Sequence, residues 1–191
     1  MREYAHCEAM AAAAVARFGS LDVLVNCAAG NFLAAAEQLT SNGFRTVMEI
    51  DAVGTFNMSR AAFGALQACG AGVVVNISAT LHYGATWYQA HASAAKAAVD
   101  SLTRSTALEW GAYNIRVAGV APGPIAGTAG IAKLAPGAAE EMTRLMEAHI
   151  PLRRMGRRWD IAMAAVYLAS PAAAFLTGHV LVVDGGEWMY R

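Results

Sequence analysis

The chain has 191 residues, 57% of them hydrophobic and only 15% charged, with a formal net charge of zero. One domain is the natural expectation at that length, and the apolar excess predicts heavy burial, on both faces of a sheet or in subunit contacts. A balance with no basic excess argues against nucleic acid or an anionic membrane surface as partners.

Residues 5–18 are alanine-rich and read as a helix, with Gly19 as the stop. Leu21 to Asn26 is a short buried strand, and the small residues of Asn26-Cys27-Ala28-Ala29-Gly30 follow it. That composition lets a flat ligand approach the backbone, and it equally suits an ordinary tight turn. Residues 41–68 read as one long helix capped by Thr40 or Ser41, with Asp51 in its middle. An acid among apolar neighbours must be paired or hydrogen-bonded, for catalysis or for structure alone. Gly72 to Ser78 is the second strand. Residues 89–110 form a helix in which small residues surround Lys96; that lysine either meets a ligand or reaches to water. Ile115 to Val120 is the third strand, and Pro122-Gly123-Pro124-Ile125 makes a stiff exit with Thr128 nearby. Residues 138–148 and 159–169 are helical, and Val180 to Val183 is the last strand.

Continuous Val, Leu and Ile runs alternating with helices predict an α/β fold, a doubly wound and mostly parallel sheet of Rossmann type. Such sheets bind ligands beyond the carboxyl ends of their strands, so the loops after Asn26, Ser78 and Val120 should line the site. Three cysteines, Cys7, Cys27 and Cys69, with no C-x-x-C argue against a disulfide framework and against a metal site. They are expected as small buried apolar residues of a reducing compartment. The polar start is unlike a signal peptide, the apolar stretch from Ala9 to Ala16 is too short to span a bilayer, and no targeting tripeptide ends the chain.

Leu24-Val25-Asn26-Cys27-Ala28-Ala29-Gly30, the strand end Asn76-Ile77-Ser78, Lys96, Arg116-Val117…Pro122-Gly123 and Val183-Asp184-Gly185-Gly186 stand in the order and spacing of short-chain dehydrogenases/reductases. Nearly the whole chain resembles that family. Gly30-Asn31-Phe32-Leu33, Asp51…Gly54-Thr55-Phe56-Asn57, Ser78-Ala79-Thr80-Leu81, His91 to Lys96 and Pro122 to Thr128 are similar to its peroxisomal 2,4-dienoyl-CoA reductase branch. The wider family has tyrosine where this chain has Ala92, serine at Ala79 and asparagine at Asp51. A tyrosine–serine pair suits protonation of an alkoxide oxygen, whereas reducing a conjugated thioester needs a proton on carbon. The branch is similar to this chain in lacking the tyrosine.

The resemblance implies an NADPH-dependent reductase of 2,4-dienoyl-CoA, an acyl-CoA substrate, a homodimer or homotetramer paired through helices 41–68 and 89–110, and the peroxisome, or else the cytoplasm. It implies catalytic roles for Asp51 and Lys96. Asn26, Ala28, Gly30, Ile77, Lys96, Pro122, Gly123, Pro124, Ile125 and Thr128 should hold cofactor, and Phe32, Thr40, Ser41, Asn42 and Lys133 should touch substrate. Arg153, Arg154, Arg157 and Arg158 read first as a solvated turn and only second as a CoA phosphate site. His91, Tyr88 and Tyr83 lie near the missing tyrosine's place; ordinary core and loop roles are expected first, and an acid substituting for the tyrosine second. No G-x-x-x-G-x-G segment is present, so the first βαβ unit is expected to be missing, with weak cofactor binding and an open apolar edge. A non-catalytic truncated product and a reductase of another enoyl thioester are the competing expectations.

Overall fold

A computed structural model describes residues 1–128, 130–131 and 139–190. Among them, four parallel strands stand in the order β1 (Val23–Asn26), β2 (Val73–Ile77), β3 (Arg116–Pro122) and β4 (Val180–Val183). The α-helices that connect or flank them among the described residues include α1 (Tyr4–Phe18), α2 (Ser41–Met48), α3 (Gly54–Ala68), α4 (Ala90–Trp110), α5 (Ala139–His149) and α6 (Arg158–Ala169). None of the described helices is long and apolar enough to cross a membrane.

The strands' period of two sorts their side chains into two layers. Val74 and Val117 face one side, where they pack with Cys7 and Ala11 of α1, Met58, Ala62 and Leu66 of α3, and Ala107 of α4. Val73, Val75, Ala118 and Val120 face the other side, against Leu168 of α6. Register pairs Val23 with Val73 and Val25 with Val75, so these two valines share the α6 side. Both stand exposed on an edge strand of the described sheet, against the buried strand expected over 21–26 and in line with an open apolar edge. Cysteine departs from expectation: Cys7 is buried, but Cys27 is exposed and Cys69 only half-buried.

The long helix expected over 41–68 is one rod with a fault in it. α2 and α3 are joined without a break in direction by a single π-turn at Glu49–Val53. Thr40 caps the rod, its hydroxyl accepting from the Gly43 N–H at 3.0 Å. A π-turn packs an extra residue into one turn and changes where side chains point, which is why such turns recur at functional sites. Asp51 occupies this one.

Candidate active site

The carboxyl ends of β1, β2 and β3 converge because their register brings Asn26 beside Asn76 and Ile77 beside Val120. Asn26 is 3% exposed, and its amide donates to Asn76 Oδ1 and Ser59 Oγ, both at 2.9 Å. Asn76 in turn donates to Thr103 Oγ1 at 2.9 Å. This buried polar chain ties two strand ends to α3 and α4. It commits the Asn26 amide N–H groups inward, while Asn26 Oδ1 is buried without a hydrogen-bond partner. Cys27 and Ala28 beyond it line a cavity of about 350 Å³ beside α1.

The π-turn delivers Asp51 to the centre of this edge. Its carboxyl group is 1% exposed. Oδ1 accepts the Gly30 N–H at 2.7 Å, and Oδ2 lies 3.2 Å from Lys96 Nζ. Lys96, on α4 and 7% exposed, also donates to the Ile77 carbonyl at 3.0 Å. A buried ion pair must satisfy its remaining lone pairs and protons to offset desolvation, and these two partners go part of the way. Beside them the Ser78 hydroxyl is buried without a partner. One lysine N–H is held by the Ile77 carbonyl, and Asp51 Oδ2 is in ionic contact without a hydrogen bond. The lysine donors left over, with the Ser78 hydroxyl, fit the ribose hydroxyls of a nucleotide laid across the end of β2.

The loop after β3 is braced from outside. Pro124 and Ala126 exchange backbone hydrogen bonds with Gly156, and the Thr128 hydroxyl donates to the Ile125 carbonyl at 2.9 Å. The Gly123 N–H donates to Val183 O, and a Cβ at Gly123 would meet Asp184 Cβ at 2.6 Å and its Cα at 2.8 Å. Backbone would have to move. Gly123→Ala is expected to destabilise the fold by about 2 kcal/mol, a fall in Tm of about 4–8 °C at this size. Thermal unfolding measures it, and an unchanged Tm would show that the loop yields freely.

Phe32 lies over the first turn of α2, where a Cβ on Gly43 would come within 3.1 Å of its ring, and it stacks on His91 at 4.2 Å. Phe32 and the Thr40-Ser41-Asn42 turn therefore meet, Ser41 and Asn42 being exposed. Lys133 falls outside the described residues. The arginines are engaged within the chain: Arg154 and Arg157 pair with Asp160, while Arg153 and Arg158 donate to the Ala148 and Gly127 carbonyls.

Two further polar features involve His91 and the His82–Tyr83 pair. His91 is fully buried and neither ring nitrogen reaches hydrogen-bond geometry. Burial lowers its pKa below the ordinary value, against a weak polar contact with the Phe32 backbone and the Asp51 charge, so the ring is neutral at pH 7. His82 Nε2 lies 2.8 Å from Asp100 Oδ2, and Tyr83 donates to the same oxygen at 3.4 Å. Burial and that carboxylate push the Tyr83 phenol up to about 12. No residue type alone signals these contacts, which close across 17 or 18 positions.

A model of the enoyl-(acyl carrier protein) reductase family matches residues 1–187. A solved short chain dehydrogenase from Bacillus anthracis superposes with a TM-score of 0.84 and 36% identity, covering 97% of this chain and 72% of its own. This chain belongs to the short-chain dehydrogenase/reductase family. Within the family it is 57% identical, over 183 residues, to a protein of Arabidopsis thaliana named peroxisomal 2,4-dienoyl-CoA reductase, (3E)-enoyl-CoA-producing. It is 49% identical over 176 residues to the protein of that name from Pongo abelii. The matches take in 91% and 92% of this chain, which spans about 60% of the length of those curated relatives.

Proposed function

We propose that the chain carries the catalytic side of an NADPH-dependent reductase that converts 2,4-dienoyl-CoA to 3-enoyl-CoA in the peroxisomal breakdown of unsaturated fatty acids. The observation that carries this reading is the buried Asp51–Lys96 pair, with Ala92, 2% exposed, where the family's phenol would stand. A carbonyl reducer needs an acid beside an oxygen. This site offers a carboxyl group and an ammonium beside a small buried alanine.

A bound nicotinamide would supply a hydride for the far carbon of the diene. Electrons then shift along the conjugated chain onto the thioester oxygen, giving a dienolate that needs preorganised donors. Protonation at the carbon next to the carbonyl leaves the double bond between the third and fourth carbons. Asp51 relays that proton through a water, drawing it from the Lys96 ammonium 3.2 Å away. Gly30 fixes the carboxyl group in place, and Lys96 supplies local positive charge and holds the nicotinamide ribose with Ile77 O. Residues 122–125 and Thr128 embrace the nicotinamide end, and Asn26, Ala28 and Gly30 flank the adenosine side. Phe32, the 40–42 turn and Lys133 meet the acyl-CoA. Exposed Phe56 and Leu108, on the two long helices, fit pairing into a homodimer or homotetramer.

NADPH oxidation measured with dienoyl-CoA and with a simple enoyl-CoA tests the reading. Turnover on the dienoyl substrate alone is expected; turnover only on the enoyl substrate would instead favour another enoyl-thioester reductase. Fluorescence titration with NADPH is the companion measurement. Absence of binding would favour a non-catalytic product.

A further inference from the structure

From Asp51 a seam runs outward between the segment after β1 and the segment before α4. Gly30 is bound to Asp51. Asn31 then donates to Gln89 at 2.5 Å, Phe32 stacks on His91 at 4.2 Å, and the Ala34 N–H donates to the Tyr88 carbonyl at 2.9 Å. Past Ala34 the two segments part and enclose a cleft of about 610 Å³ between residues 34–37 and 85–90. At a maximum of about 3.6 Å per residue, the cleft lies within roughly 20 Å of the acid.

Its chemistry is narrow. Five alanines and the rings of Trp87 and Tyr88 make up most of the lining, and the only charged side chain among the lining residues is Glu37. Tyr88 holds a left-handed backbone at φ 62°, a costly conformation for a bulky residue, pinned by the bond from Ala34. Trp87 beside it is 83% exposed, an indole left in water at the mouth. A nucleotide bearing several phosphates is repelled by a lone carboxylate. A polymethylene chain has no charge to oppose and gains from every apolar wall.

Resting on the thioester substrate proposed above, we infer that this cleft binds the saturated tail of a long-chain acyl thioester, that Trp87 closes over its methylenes, and that Glu37 keeps the CoA nucleotide at the opposite end. Isothermal titration with unreactive saturated acyl-CoAs of increasing length, and with free CoA, tests it without any hydride transfer. Affinity is expected to rise with length, by up to about four-fold per methylene taken from water, until the cleft is full. Ala35→Trp, which fills the space, is expected to weaken the longest ligand by about ten-fold or more and to leave short acyl-CoA and free CoA unchanged. Trp87→Ala removes a ring that folding does not bury, and a several-fold loss confined to long tails is expected. Affinity independent of length in the unaltered protein, or Trp87→Ala weakening short and long ligands alike, overturns the assignment. If dienoyl-CoA is never reduced but the length dependence holds, the tail site stands and the reductase reading falls.

Discussion

Asparagine in place of Asp51 is expected to cut turnover with dienoyl-CoA by about 10²-fold or more, the scale of a lost general acid. The substitution keeps the side chain's size and leaves an oxygen for the Gly30 N–H, which now meets Oδ1 at 2.7 Å. What disappears is the group that can release a proton beside the substrate carbon. NADPH binding should change little, since Lys96 keeps its bond to the Ile77 carbonyl. Steady-state NADPH oxidation and a separate NADPH titration read the two effects apart. Unchanged turnover removes Asp51 from the chemistry. Turnover and cofactor affinity falling together would make it a scaffold for Lys96.

Methionine in place of Lys96 is expected to produce the largest combined loss. It retains the length of the side chain but strands the Asp51 carboxylate at 1% exposure, with one backbone N–H for company. Breaking a buried pair from one side costs about 3–5 kcal/mol, or roughly 6–20 °C in Tm at this size. NADPH affinity is expected to fall at least about ten-fold, because the ribose loses its ammonium. The double variant Asp51→Asn with Lys96→Met separates these effects. It should recover most of the lost Tm, having no unpaired charge, and none of the lost cofactor affinity. Full NADPH affinity in Lys96→Met would place the cofactor elsewhere.

Hydrophobic patterning made the scaffold readable. Continuous apolar runs at 73–75 and 180–183 announce parallel strands, and these are found there within a residue or two, the first buried and the last half-buried. Asp51 and Lys96 were legible as polar residues that an apolar helix does not tolerate idly. Their meeting was not, because it depends on the π-turn. Glu49-Ile50-Asp51-Ala52-Val53 has an ordinary helical composition, and the extra residue in the turn shows only in the hydrogen-bond ladder. Asn26 was legible as the end of a strand, but its inward amide network depends on partners 33 and 50 residues away. The four arginines are exposed, and Asp160 organises two of them: the Arg157 N–H and the Arg154 guanidinium hold its carboxyl group down to about 2. The Ala34–Tyr88 cleft was invisible, since alanines in loops carry no periodicity to read.

The rod from Ser41 to Ala68 is two helical segments joined through one extra residue at Glu49–Val53. Excising one residue there would let the ladder close as a regular spiral. The flanking segments would keep their phase, because the wide turn already absorbs the extra residue; what would be lost is the displaced position that carries Asp51 to Gly30. Phe32's seat on Gly43 and the grip of Asp51 on Gly30 could not then both survive. In this helix, length is the constrained variable: the segment should accept many exchanges of side chain yet no deletion.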